Sequence, residues 1–279
     1  MTTTETLREL LTDWRHEGDH VALVPTMGDL HDGQLSLVEL AREHAERVVV
    51  SIFAGTEEPV AADSGGDPAS ILEMDKRRLK RAQSDLLFIP DIDTVYPFGI
   101  DRATVVSVPA LTKDLCGSFR PGEFDSITTM VTRLFSLVQP DVAVFGQKDY
   151  QQQLVVNHMV KDLSLPIKII CGPTVREDDG LAMSSLNRQL SEEERAIAPH
   201  LHNVLDEIGR GLESGQRNYE QLEAESVEKL KSLGFRPEYV SIRRAENLGA
   251  PDRDCDELVV LVSAWLSDVR LVDNLVVPI

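Results

Sequence analysis

Four short stretches of this 279-residue chain set residues able to do chemistry at the ends of apolar runs. The first is Pro25-Thr26-Met27-Gly28, with His31, Gly33 and Gln34 in the same turn. Where a strand ends and a helix begins, backbone N–H groups stay unpaired and positive potential concentrates, which suits a phosphate. His31 would offer its imidazole to phosphoryl oxygens there. The second stretch is Gly146-Gln147-Lys148-Asp149, with Gln152 one helical turn beyond Lys148. Lys148 offers a mobile ammonium to a phosphate, Asp149 an acceptor for a ribose hydroxyl or a metal, and Gln152 hydrogen bonds to a polar substrate. The third is Met183-Ser184-Ser185 between Arg176 and Arg188, where hydroxyls and cations suit a mobile clamp on a triphosphate. The fourth runs from Ser118 to Phe124 and carries Arg120, a partner for phosphate or carboxylate.

Each stretch also has a plainer reading. A loop histidine is more often structural than catalytic, and Asp149 at a helix start can simply complement the dipole. The Met183–Ser185 loop can join two domains with a serine cap, and Arg120 can sit in an ordinary turn before a helix.

The elements that would carry these turns follow from hydrophobic periodicity. Residues 4–17 place Leu7, Leu10, Leu11 and Trp14 at helical spacing. A buried strand is expected over 21–25, a helix from Gly33 to about 46, and a strand over 47–53 whose unbroken apolar run fits a parallel sheet covered on both faces. Such a βαβ unit crosses over right-handed and presents ligands beyond the carboxyl ends of its strands. Residues 54–70, small and acidic, read as a loop at that end. Beyond it the pattern predicts helices over 71–83, 124–138 and 146–162 and strands over 85–89, 104–108, 141–145 and 167–170. After residue 174 the character changes to helices over 191–213 and 218–233 and strands near 238–242, 258–262 and 269–277. Ser191 opens the first of these helices with a capping-box sequence. The expected division is therefore 1–174 and 175–279.

Composition narrows the function. A net charge of −19 argues against nonspecific binding to nucleic acid or to an anionic membrane. No apolar run approaches the ~20 residues of a membrane span, and the N-terminus lacks the basic and apolar regions of a signal peptide, so a soluble cytoplasmic protein is expected. Cys116, Cys171 and Cys255 fit no zinc or redox spacing and read as reduced, mostly buried thiols, with no metal site of their own.

In order along the chain, VPTMGDLHDGQLSLV (24–38), VVVSIF (48–53), RPGEF (120–124), QPDVAVFGQKDYQQ (139–152), PTVREDDGLAMSSLNRQLS (173–191) and RLVDNL (270–275) resemble the pantothenate synthetase (pantoate–β-alanine ligase) family. The resemblance spans almost the whole chain. It implies an α/β fold: a Rossmann-like nucleotidyltransferase (HUP-type) parallel sheet binding ATP and the acid over 1–174, with a small α+β lid domain over 175–279, usually as a homodimer. It also implies ATP and Mg²⁺, with a small carboxylic acid and an amine as partners. In the reaction it implies, a carboxylate attacks the α-phosphate of ATP to give an acyl adenylate, and an amine then displaces AMP. On this resemblance Pro25 and Thr26 line the acid, Met27, Gly33 and Gln34 the nucleotide, and His31 the ATP phosphates. Gly146, Lys148 and Asp149 belong to the nucleotide site, and Gln152 holds the acid. Val175 and Met183 contact the adenine side, Ser184 and Ser185 the phosphates, and Arg120 the mouth of the site.

The departures from the family pattern are specific. HxGH has become His31-Asp-Gly-Gln34, and the glutamine of NPxQF corresponds to Glu58. RPGHF has Glu123 in place of histidine, and SSRN has become Ser184-Ser185-Leu186-Asn187. Loss of one well-placed donor to a developing phosphate charge costs about 2.7–4 kcal/mol in kcat. A carboxylate at Glu58 would also repel the acid and cannot donate hydrogen bonds to it. The expected function is an ATP-dependent, AMP-forming carboxylate–amine ligase. Its alternatives are a paralogue with another acid or amine, and a catalytically impaired relative that keeps nucleotide binding.

Overall fold

Apolar runs of strand length build the sheet that carries the first two turns. The computed structural model describes residues 1, 3–53, 67–252 and 255–279. The chain divides into two compact units: Met1–Pro109, Pro121–Gly146 and Val155–Pro173 form one, and Ala110–Arg120, Gln147–Leu154 and Thr174–Ile279 the other.

In the first unit, α1 (Thr4–Glu17) precedes β1 (Val21–Thr26), α2 (Asp32–Arg42) and β2 (Arg47–Ile52). α3 (Pro68–Arg81), β3 (Leu86–Phe88) and the short α4 (Ile92–Val95) follow. All five strands of its sheet run parallel, in the order β3-β2-β1-β4-β5, with β4 at Val142–Gly146 and β5 at Lys168–Gly172. The order reverses between β1 and β4, so their carboxyl ends, Thr26 and Gly146, flank the switch point where open α/β sheets bind ligands. α2 packs there. A Cβ on Gly172 would meet the tip of Leu37 of α2, so the leucine side chain would have to shift for a larger residue at the end of β5.

Two expectations about this unit need correction. α2 stops at Arg42, short of residue 46. Residues 104–108 pair with no strand among the described residues. Their hydrogen bonds go to a helix instead: Val106 N donates to Thr129 Oγ1 at 2.9 Å, and the Thr128 hydroxyl donates to Val106 O at 2.5 Å. The buried threonines of α6 (Glu123–Val138), the helix after the four-residue α5 (Cys116–Phe119), thus replace a ladder.

In the second unit, β6 (Arg236–Arg244), β7 (Glu257–Leu266) and β8 (Val269–Pro278) form an antiparallel sheet. One face packs on α9 (His200–Glu213), with Leu201, Leu205 and Ile208 against Val260, Val262 and Leu271 in one apolar cluster. The other face gathers Val259 and Leu261 with Tyr150 and Leu154 at the start of α7 (Tyr150–Asp162). The helix expected over 191–213 is two, α8 (Glu192–Ile197) and α9, with Pro199 as the N-cap of the second; α10 (Tyr219–Ser232) follows. A proline lacks the N–H that a continuous helix would need there. Ser191 caps α8 as its sequence predicts, exchanging hydrogen bonds with Glu194 at 2.8 and 3.2 Å. The thiols are free, but Cys171 is exposed and the other two half-buried, so they are not the buried set expected.

Candidate active site

In the first unit the turn after β1 must reverse the chain within a few residues. Gly28 (φ +90°) and Asp29 (φ +53°) take left-handed conformations to do it. Asp75, on α3, anchors this turn from below. Its carboxylate accepts from Asp29 N at 2.8 Å and Leu30 N at 2.9 Å and is 2% exposed. Burial pushes the Asp75 carboxyl above the usual range, although the two N–H donors and, more weakly, Arg78 oppose the shift. The turn delivers His31 as the N-cap of α2, with Gly33 in its first turn.

Gln34 has a local task. Its Oε1 accepts from His31 N at 3.0 Å, so the side chain fixes the backbone that carries the histidine. Thr26 is buried and its hydroxyl donates to Ser51 O at 2.8 Å, which holds the end of β1 against β2. Pro25 precedes it in β1. Met27 stands 51% exposed at the tip, an apolar side chain left outside the core. Glu58 lies outside the described residues.

In the second unit Gln147–Asp149 form one 3-10 turn that follows Gly146 and leads into α7. Lys148 and Ser184 line one cleft, together with Asn187, Arg270 and Asp273. The Lys148 ammonium makes no hydrogen bond or ion pair to a described residue. The neighbouring cations are committed: Arg270 donates through Nε and Nη2 to Glu238 at 2.9 and 2.8 Å, and Arg176 grips Asp273 at 2.6 and 3.0 Å. Arg176, beside the serines in sequence, is thus engaged by a buried carboxylate.

That grip shapes the loop. Arg176 bridges to Ala182 across the loop, and Met183 N donates to Val175 O at 3.0 Å, so Val175 and Met183 lie side by side. Asn187 Nδ2 donates to Ala182 O at 3.1 Å, and Ser184 accepts from Leu186 N as the N-cap of the 3-10 turn Ser185–Gln189. Asp273, 2% exposed in its side chain, also has His202 Nδ1 at 3.5 Å. Its carboxyl lies below the usual range because His202 and Arg176 together outweigh the cost of burial.

The two glutamines of α7 divide their roles. Gln151 is buried, donating to Leu111 O and Asp114 O and accepting from Cys116 N. Gln152 is half-buried and makes no side-chain hydrogen bond to a described residue, which leaves it available to a substrate. Asp149 and Arg120 are exposed, and Glu123 opens α6. Asp75 and Asn274 are the residues that sequence reasoning passed over. RLVDNL drew attention to the second, but nothing in its spacing revealed a partner.

The geometry can be set beside known proteins. A family model for pantoate-beta-alanine ligase matches residues 1–276. A pantothenate synthetase of Pseudomonas fluorescens is 45% identical over 278 residues, 99% of this chain and 97% of the relative. The crystal structure of pantothenate synthetase from Thermus thermophilus superposes with a TM-score of 0.86 at 39% identity, covering 99% of this chain and 98% of the other. A pantoate-beta-alanine ligase from Francisella tularensis, solved in complex with beta-gamma ATP and beta-alanine, gives a TM-score of 0.76 at 26% identity over 99% and 96% of the two chains.

Proposed function

This chain belongs to the pantoate-beta-alanine ligase family, and from that premise we propose that it joins pantoate to β-alanine with ATP as the activating reagent. The pantoate carboxylate attacks the α-phosphorus of ATP and pyrophosphate leaves, giving a mixed anhydride with AMP. The β-alanine amine then attacks the acyl carbon, AMP leaves with the bonding electron pair, and the amine sheds a proton as the amide forms. The observation that carries this reading is the uncommitted ammonium of Lys148 in the same cleft as Ser184. A preorganised cation aimed where phosphate charge develops is the largest single aid to such a reaction.

The remaining residues take the roles that their match to the family's motifs implies. Ser184 and Ser185 donate to the departing phosphates, and His31 with the N-terminal turn of α2 supplies a second set of donors. Val175 and Met183 offer an apolar bed to the adenine, while Met27, Gly33, Gln34, Gly146 and Asp149 border the nucleotide. Gln152, Pro25, Thr26 and Glu58 border the acid, and Arg120 its entrance. Mg²⁺ would offset charge on the triphosphate. The working form we propose is a cytoplasmic homodimer.

The test is ATP–pyrophosphate exchange over a panel of acids, followed by amide formation over a panel of amines. Exchange with pantoate and product with β-alanine support the reading. Exchange with another acid alone reassigns the substrate, and ATP binding without exchange leaves a chain that has kept its nucleotide site and lost its chemistry.

A further inference from the structure

We propose that Asp273 and Asn274, adjacent on β8, are a positioning pair that sets the Lys148 turn and the Met183–Ser185 loop in register for the nucleotide phosphates. This rests on the function proposed above, and neither residue touches substrate in it. Neighbouring residues of a strand point to opposite faces of the sheet. Asp273 faces the α9 side, where its two oxygens accept from Nη1 and Nη2 of Arg176 and so hold the base of the loop that ends in Ser184. Asn274 faces the other way. Its Nδ2 donates to Gln147 O at 2.8 Å and to Lys148 O at 2.9 Å, so one carboxamide clamps two successive carbonyls of the turn. One strand segment thus sets the spacing of two phosphate-handling segments that lie far apart in the chain.

Two observations set this apart from ordinary packing. Asn274 is 3% exposed, and its Oδ1 is buried with no hydrogen-bond partner among the described residues. A carboxamide whose acceptor is left unsatisfied in the interior carries a desolvation cost, so its donor end is what the site needs. The link between the two residues is also direct: Asn274 N donates to Asp273 Oδ1 at 2.8 Å, and Arg176 reaches Asn274 O at 3.5 Å. A shift of the loop therefore pulls on the backbone that holds the turn.

The experiment compares the full-length wild type with Asn274→Ala and Asn274→Asp, the second nearly isosteric but unable to donate. Amide hydrogen exchange over residues 147–153 is expected to quicken about tenfold in both variants, the loss of two modest hydrogen bonds, while the β7 core stays protected. The KM for ATP in pyrophosphate exchange should rise about tenfold in both, with the rate of β-alanine attack on supplied pantoyl adenylate unchanged. Unchanged exchange over 147–153 overturns the clamp. A proportional fall in both half-reactions overturns the positioning role, because it reports only lost folded protein. Should the wild type exchange pyrophosphate with no acid, the proposed function fails on its own, and the amide measurement still decides the clamp.

Discussion

The His31 turn and the loop that leads to Ser184 are each held by a buried aspartate, but the two carboxylates sit in opposite surroundings. Asp75 accepts hydrogen bonds from backbone N–H groups, and burial drives its carboxyl up against those donors and the weaker pull of Arg78. Asp273 holds Arg176 and lies near His202, which drive its carboxyl down. The first device braces a single turn, and the second belongs to a network reaching two segments. Local bracing is enough where one glycine-led turn presents a histidine. A cleft assembled from residues distant in sequence needs a strand to register them.

The comparison is broken most forcefully at Asp273. Asp273→Ala leaves the Arg176 guanidinium in a partly buried site with no counter-charge, and loss of one partner of such a pair costs about 3–5 kcal/mol. Urea unfolding should show that loss, and a change below about 1 kcal/mol would mean that Arg176 finds other partners. Next comes Asp75→Ala, which strands the N–H groups of Asp29 and Leu30. The expected cost is about 2–3 kcal/mol, with faster amide exchange confined to residues 28–35. Exchange spread evenly over the first unit would contradict local bracing.

Acid titration sharpens the contrast by sign. The stabilisation from Asp273, whose folded value is depressed, is present above the ordinary aspartate value of 3.8 and fades as pH falls through the lower folded value. For Asp75, whose folded value is raised, the neutral carboxyl is the better folded form, so its contribution is full below 3.8 and fades as pH climbs through the higher folded value. The stability gap between wild type and Asp273→Asn should therefore close as pH falls below 3.8, while the gap for Asp75→Asn closes as pH climbs above 3.8. Parallel slopes would remove the distinction between the two carboxylates.

The smallest effect belongs to Gln34. Gln34→Ala removes the acceptor for His31 N and should cost about 1 kcal/mol, the ordinary value of a helix cap. Gln34→Glu keeps an acceptor and should hold stability near wild type, yet slow adenylation by adding negative charge at the phosphate seat. A Gln34→Glu variant as active as the wild type would place this side chain away from the phosphates.

The parallel sheet was legible because its strands are unbroken apolar runs, Val21–Val24 and Val48–Val50 among them, and buried strands leave little else to explain such runs. Ser191 was legible because a capping box spans four residues. The run at 104–108 misled because β-branched residues favour a strand without naming its partner, and here Thr128 and Thr129 take the hydrogen bonds of Val106. His31, Lys148 and Ser184 stood out because they sit at chain reversals. Their supports did not. Asp75 meets Asp29 across 46 residues and Asn274 meets Lys148 across 126, distances at which no local spacing carries information. Gln34 was read for its missing charge, while the structure shows a side chain already employed in capping.

The central claim, that an uncommitted Lys148 in the Ser184 cleft activates a carboxylate through ATP, is tested most directly by pantoate-dependent ATP–pyrophosphate exchange in the wild type and in Lys148→Ala. The account predicts exchange in the wild type and a loss of roughly 10²–10³-fold in the variant, with an unchanged circular dichroism spectrum. Exchange at the wild-type rate in Lys148→Ala would contradict it.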